Sequence, residues 1–449
     1  MELKVKEVRG LPVIPIYRLD EIPEAKLEQL KRRSLMEISE ISDKVMEIID
    51  QVRRRGDEAL KEYTLRFDGA EIKDLKVKDE EFERAKERLP SKVRGFLIHA
   101  ARNIRRFHEA QRPCSSWFME VDDGVILGQI ATPIHSVGLY VPGGRGSFPS
   151  TALMAVIPAQ VAGVEEIHIC TPPKPDGEVD DATLVAADML GVRNVYKVGG
   201  AQAIAAMAFG TQTIPRVDKI VGPGGIWIAA AKKLASIYSN VEIEFIAGPS
   251  ENLILADESA DPIYVAADLL IEPEHGSDSA GIVVTTSMRL AEEVQREVEK
   301  LIGELPDQPI PRRRFAVEAL GKYGAIIVCK DMDEAISFVN EYSVEHLEII
   351  AEDPFHILKR VRNAGSIYLG EYSPSSVGCY AAGVNHILPT GQGARVHSSL
   401  SVDHFMKKTD FTFLDRKGLR SLRETVTGLA EYEGFPQHGK AVELRFRGT

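Results

Sequence analysis

Apolar residues change their spacing along this chain, and each change marks a different kind of structure. Between about Leu19 and Gln111 they recur at helical intervals among Lys, Arg and Glu, as at Ile38, Ile41, Val45 and Ile49, which predicts a mostly helical leader. From about Gly124 to Ala247 apolar and small-residue stretches follow one another: Ser136 to Val141, Ser150 to Val161, Glu166 to Cys170, Ala182 to Leu190. That alternation predicts parallel strands joined by crossover helices, because parallel neighbours need a long return connection. The pattern resumes after Pro249, with strands at Asn252 to Leu255, Ala280 to Thr285 and Ala325 to Val328 and helices at Asp261 to Ile271 and Leu290 to Leu305. The expected fold is therefore α/β, with two Rossmann-like parallel-sheet units. Beyond Gly391 the chain turns polar and helical, with Phe405, Leu414, Leu419, Leu422 and Leu429 as scattered anchors, too few for a core of its own. This tail is expected to pack elsewhere on the protein or on another subunit.

A chain of 449 residues with 44% hydrophobic content exceeds what one core accommodates, so two or three domains are expected. The formal charge is −12 and no basic cluster is interleaved with aromatics, which argues against a nucleic-acid partner. The four cysteines, Cys114, Cys170, Cys329 and Cys379, lie far apart with no C-x-x-C pair, against a disulfide framework or zinc ribbon and in keeping with a reducing, cytoplasmic setting. The first residues are charged and no apolar run reaches the length of a membrane span, so neither export nor membrane insertion is expected.

Three glycine loops share one grammar, an apolar strand, then glycines, then a small-residue helix: Tyr140-Val141-Pro142-Gly143-Gly144-Arg145-Gly146, Val198-Gly199-Gly200-Ala201-Gln202 and Val221-Gly222-Pro223-Gly224-Gly225. Each alone is an ordinary tight βα turn. Three in one unit, meeting at the carboxyl edge of a sheet where helix N-termini accept phosphate, point to a dinucleotide. None completes G-x-G-x-x-G, since Pro149 stands at the third position after Gly144 and Gly146.

Two further constellations carry chemistry. Glu272 and His275 follow a helix opened by Asp261 and Pro262, and their spacing lets both side chains reach one ion; Cys379, His386 and His438 in loop-like contexts supply further donors. A lone E-x-x-H also reads as a solvated pair, and a lone cysteine as a small hydrophobe. Glu345-His346 sits between a predicted helix, Asp333 to Asn340, and a predicted buried strand, Leu347 to Ala351. A carboxylate beside an imidazole there can move protons near neutral pH, although the same dipeptide alone also reads as a solvated carboxylate next to a hydrogen-bonded histidine.

Taken together, Gly138-Leu139-Tyr140-Val141-Pro142-Gly143-Gly144, Gly200-Ala201-Gln202-Ala203-Ile204-Ala205, Ala247-Gly248-Pro249-Ser250-Glu251, Glu274-His275-Gly276, Glu345-His346-Leu347 and Asn385-His386-Ile387-Leu388-Pro389-Thr390 resemble the histidinol dehydrogenase family over nearly the whole chain. The resemblance implies a zinc-dependent homodimer with a shared active site that oxidises L-histidinol to L-histidine with two NAD through the aldehyde. It makes His346 the base for alcohol oxidation and Glu345 the activator of water. Substrate is held by Ser250, His346, His386 and Glu433 beside the metal ligands. NAD lies against Tyr140 and Gln202, and at the family's third contact, an Asn, this chain has Gly225. The zinc positions are Glu272 where the family has Gln, His275, Cys379 where it has Asp, and His438, contributed by the partner subunit. All four are competent donors, and the thiolate makes the site softer.

The implied division is an arm at 1–29, a first α/β domain from 30–135 and 248–390 carrying metal and catalytic residues, a second at 136–247 carrying the NAD loops, and a helical, dimer-swapped tail at 391–449. The two altered ligands leave room for a paralogous zinc- and NAD-dependent dehydrogenase of another small amino- or sulfo-alcohol. A non-catalytic metal or nucleotide binder is the third reading, at odds with the intact Glu345 and His346.

Overall fold

The computed structural model describes residues 13–144, 146–246 and 248–447, apart from the side chains of 32–40; the Ile38 side chain, residues 1–12, Arg145, Ala247 and residues 448–449 lie outside the description. Three sheets organise the chain. The first has six parallel strands: β1 (Ile16–Arg18), β9 (Glu251–Ala256), β10 (Ala280–Thr285), β11 (Ala325–Val328), β12 (His346–Ile350) and β13 (Ser366–Leu369), in the order β1-β11-β10-β9-β12-β13. The second has five: β4 (Ser136–Tyr140), β5 (Glu166–Thr171), β6 (Val195–Lys197), β7 (Lys219–Val221) and β8 (Glu242–Ile243), in the order β6-β5-β4-β7-β8. The reversal of order between β4 and β7 makes a switch point, where an open parallel sheet forms a crevice. A third, antiparallel sheet joins β2 (Ser116–Asp122), β3 (Val125–Pro133) and β14 (Met406–Leu414).

Both central sheets read as near-continuous apolar strands because helices cover both faces, with every residue of β9, β10 and β12 buried. The expected assignment of residues 30–135 to the unit at 248–390 does not hold. The helices Glu24–Arg55, Asp57–Asp68, Asp79–Arg88 and Ser91–Ala110 pack over the second sheet: Val45, Ile49 and Leu60 share a core with Ala203 to Ala208, and Phe82 and Ile104 share one with Leu153 to Ile157. The cause lies in the covered helices. Gly200–Phe209 and Pro149–Ala162 are apolar on nearly every side, so the sheet buries only one face of each and a second helical layer must bury the rest.

Two further expectations change. The arm supplies the edge strand β1, paired with β11, and is not merely a leader. The tail contains the nine-residue strand β14, which pairs with β3 of the same chain, while Leu400, Val402 and Phe405 are fully buried in the second unit's core. Past Leu414 packing thins: in the helix Arg416–Tyr432 only Gly418 and Ala430 are buried, and Leu429, Tyr432 and Phe435 are exposed, Tyr432 to 91%.

Candidate active site

Glu345 and His346 owe their position to a sharp turn. The helix Met332–Tyr342 ends at Ser343, whose left-handed backbone (φ 56°) swings the chain into β12, so that Glu345 occupies the turn and His346 is the first strand residue. Gly365 permits the close approach of the chain entering β13: a Cβ there would lie 2.6 Å from the Glu345 carbonyl oxygen. β9 begins level with β12, and Glu251 bridges the pair. The Glu251 N–H donates to Glu345 Oε2 at 2.8 Å, and its carbonyl oxygen lies 3.2 Å from His346 Nδ1.

That histidine nitrogen also has Glu345 Oε2 at 3.5 Å and Glu272 Oε1 at 3.7 Å, so three oxygens favour a proton on Nδ1. Nε2 is left facing Cys379 Sγ at 3.9 Å, while the ring stacks on Tyr368 at 6.2 Å between centroids. Burial works against a charged imidazole here, but the Glu272 and Glu345 carboxylates outweigh it and raise the His346 pKa well above its usual value. Burial raises Glu345, with the neighbouring imidazole opposing.

Glu272 and His275 stand just beyond the helix Pro262–Leu269, whose first turn is fixed by Asp261 accepting from Ile263 N at 2.8 Å. The His275 N–H closes a turn onto the Glu272 carbonyl at 3.0 Å, bringing His275 Nδ1 within 3.0 Å of Glu272 Oε2. Ser250 Oγ lies 3.4 Å from the same nitrogen. Burial penalises the Glu272 charge, yet His346 and His275 overcome that and hold its carboxyl at about 2. Its other oxygen, Oε1, is buried with no hydrogen-bond partner among the described residues. Cys379 comes from the helix Ser375–Tyr380, seated by its first N–H on Glu348 Oε1 at 2.9 Å. Burial raises its thiol pKa. Donor atoms of Glu272, His346 and Cys379 lie within 4.8 Å of one another.

His386 joins the two units. Its Nδ1 donates to the Cys379 carbonyl at 2.7 Å, and its Nε2 lies 3.1 Å from Thr151 Oγ1 on the helix that follows β4; burial lowers its pKa to about 4, keeping it neutral. Thus the amino-terminal ends of β9 and β12 face the carboxyl edge of the second sheet. At that edge Tyr140 is buried, its hydroxyl accepting from Gly200 N at 3.2 Å, and Gln202 is fully buried with neither amide atom bonded among the described residues. Gly225 caps the helix Ile226–Tyr238 and opens onto free space. Glu433 and His438, at the far end of the tail, are exposed and do not join the cluster within one chain; His438 lies against the Phe435 ring.

Sequence reasoning missed Glu251, which orients both members of the pair, and Thr151, which carries the contact between units. It also missed the carboxyl pair Glu348 and Asp268 behind Cys379, where burial, with Asp268 beside it, pushes Glu348 to about 9. A signal for Glu348 was present: an acid two residues after His346 in an otherwise apolar strand points to the same face.

A buried proton-transfer pair and a metal-competent cluster, facing the glycine loops of a Rossmann-like sheet, define an NAD-linked oxidoreductase of the α/β class. The family model for histidinol dehydrogenase matches residues 31–446. The histidinol dehydrogenase of Methanosarcina mazei is 46% identical over 429 residues, covering 96% of this chain and 97% of that one. That of Methanothermobacter thermautotrophicus is 47% identical over 432 residues, covering 96% and 100%. A crystal structure of histidinol dehydrogenase from Elizabethkingia anophelis superposes with a TM-score of 0.91 at 36% identity, covering 98% of this chain and 99% of the other. The chain belongs to the histidinol dehydrogenase family.

Proposed function

We propose that this chain oxidises L-histidinol to L-histidine, the last steps of histidine biosynthesis, in two NAD-linked stages through the aldehyde, acting in the cytoplasm as a zinc-bearing homodimer. The observation that carries the reading is the division of acceptors at the Glu345–His346 pair. His346 Nδ1 is turned to three oxygens, which fixes a proton there; a cation on Glu272 would offset one of the two carboxylates that raise the imidazole's pKa, leaving Nε2 as the acceptor that faces the cluster. Glu345 is an independent carboxylate held through one oxygen by the Glu251 amide. An alcohol oxidation needs one base and hydration of an aldehyde needs another, and the site offers both.

In the first stage His346 Nε2 takes the alcohol proton as the carbinol hydride leaves. In the second Glu345 takes a proton from water as its oxygen adds to the aldehyde carbon. The sum is one alcohol, one water and two NAD giving one carboxylate, two NADH and three protons. The glycine loops, Tyr140 and Gln202 would bind the dinucleotide, which would supply the hydride acceptor; the Gln202 amide, unbonded among the described residues, and the open N-terminus at Gly225 suit a polar ligand there. Ser250 and His386 line the substrate, with Glu433 of the partner subunit offering a carboxylate to a cationic amine.

The donor set fits zinc. Glu272 Oε1 is a buried anionic oxygen with no hydrogen-bond partner among the described residues, and with Cys379 it belongs to a group of donors close enough to share one ion; His275, whose Nδ1 lies on Glu272 Oε2, and His438 of the partner subunit would complete the set. Bound there, an ion would supply orientation and polarisation of the substrate's nitrogen and oxygen donors. The tail supports a dimer: it carries Glu433 and His438 away from its own cluster and leaves Leu429, Tyr432 and Phe435 exposed. Arg395 bears on the sulfo-alcohol alternative: its guanidinium donates to the Glu341 carbonyl at the end of the helix Met332–Tyr342, which disfavours that alternative. The test is NADH formation with histidinol before and after chelation. Two NADH per histidinol, lost on chelation and restored by zinc, support the reading; no turnover with histidinol by the zinc-loaded protein refutes it.

A further inference from the structure

The loop Gly222-Pro223-Gly224-Gly225 leaves β7 at the switch point with a single side chain larger than hydrogen. Three glycines give it wide conformational freedom, and a Cβ added at Gly225 would meet no neighbouring atom within 4 Å. Gly222 nonetheless has one particular conformation, φ 137°, passing so close to Tyr140 that a Cβ would lie 2.1 Å from its carbonyl oxygen. Something outside the loop must select that conformation.

The selecting groups are Lys232 and Glu244. Lys232 stands two turns inside the helix that the loop opens, and Glu244 follows the neighbouring strand β8. Glu244 Oε1 accepts from Gly222 N at 2.8 Å and from Lys232 Nζ at 2.6 Å, and Lys232 Nζ donates to Gly222 O at 3.1 Å. One residue of backbone is thus gripped at both its amide and its carbonyl by the two halves of an ion pair. The side chains are 1% and 0% exposed. Such burial is poor economy for stability, because desolvating two ions offsets their attraction and an apolar pair of similar volume packs as well. What an apolar pair cannot do is bond a peptide group at both ends.

We propose that Lys232 and Glu244 are positioning residues for the dinucleotide: they hold the Gly222–Gly225 loop, and with it the N-terminus of the helix Ile226–Tyr238, in the shape that receives the pyrophosphate. The inference rests on the NAD reading above. A pre-shaped loop spares the ligand the ordering cost, so loosening it weakens dinucleotide binding while leaving the Glu345–His346 chemistry untouched. The two carboxylate and ammonium charges do not contact the ligand; they act through Gly222.

The test uses the full-length, zinc-loaded protein and two neutral double variants, which avoid leaving one buried ion alone. K232M/E244L removes both bonds to Gly222, and K232M/E244Q returns an acceptor for its N–H. NADH binding is followed by fluorescence, together with KM for NAD, KM for histidinol, kcat and the thermal midpoint. The expected result is a loss of NADH affinity and a rise in KM for NAD on the order of ten-fold in K232M/E244L, partly rescued in K232M/E244Q, with KM for histidinol and kcat within two-fold. Unchanged NADH affinity with a lowered thermal midpoint would make the pair a structural strut and overturn the inference alone. Failure of the unaltered chain to bind NADH overturns the cofactor reading and the clamp with it. A uniform loss across all parameters in both variants also refutes the clamp.

Discussion

Replacing Glu345 with Gln removes a base while sparing the frame around it. The amide oxygen of Gln can still accept from Glu251 N, the bond that at 2.8 Å fixes the carboxylate, and the side-chain volume is unchanged. That same oxygen is the one 3.5 Å from His346 Nδ1, which donates to the Glu251 carbonyl, so the amide N–H group takes the place of Oε1 and His346 keeps its orientation, with Nε2 toward the cluster. What is lost is the acceptor for the water proton. Removal of one positioned general base costs roughly 10²- to 10⁴-fold, or about 2.7 to 5.4 kcal/mol in the barrier. That loss falls on the second oxidation only. In a single turnover with excess NAD, the variant should form one NADH per active site at near-normal rate and then stall, where the unaltered protein forms two. Supplying the aldehyde directly should not rescue it, whereas aldehyde should largely bypass the defect of His346→Ala. Equal defects on alcohol and aldehyde for both variants would show that the pair works as one unit and that the division of labour is mistaken.

Three other outcomes are expected. Cys379→Ser should weaken zinc binding roughly 100-fold or more, since loss of a direct ligand should exceed the loss of an outer partner, and Cys379→Asp should retain the metal; equal zinc content by metal analysis in both would exclude Cys379 as a ligand. Mixing inactive His438→Ala with inactive His346→Ala, after unfolding and reassociation, should return about a quarter of full activity, because half of the dimers are mixed and each holds one intact composite site; no recovery would place both residues in one subunit's site. His404, whose Nδ1 accepts from Ser401 N at 3.1 Å, is held by burial at about 4, below its usual 6.5. A depressed histidine stabilises the fold above the unfolded value and loses that contribution as pH falls from about 6.5 through about 4. Denaturant midpoints should therefore drop less steeply across that window in His404→Asn than in the unaltered chain, and parallel slopes would refute the assignment.

The sequence carried local structure and residue chemistry well, and partner choice poorly. The helical leader was legible from Ile41, Val45 and Ile49, and the strands β9, β10 and β12 from near-continuous apolar runs, because burial on both faces leaves that trace. The sheet that the leader covers was not legible from its own stripe. It had to be inferred from the helices beneath: Ala201 to Ala208 has no polar face except Gln202, and such a helix demands cover all round. β14 escaped because Lys407, Lys408 and Asp410 interrupt its alternation on a strand that is mostly exposed. At the site the chemistry of Glu345 and His346 could be read from residue type, and Glu272, His275 and Cys379 were named as metal donors. The bridging role of Glu251 rests on its backbone N–H and C=O, which every residue possesses, so no side-chain pattern announces it. His386 was named for substrate, yet its contact with Thr151 depends on how two units meet.

The chemistry of the first sheet sits at the amino ends of its strands, where open α/β sheets usually keep plain turns. The opposite rim is correspondingly idle. Glu258, Ser259, Lys330 and Glu352, on the turns that leave β9, β11 and β12, are exposed, and none contributes to the pair or the cluster. That rim is a natural handle for engineering: a surface linker, a fluorescent reporter or a fused scaffold attached between Glu258 and Ser259 or at Lys330 would leave the working face of the sheet unobstructed.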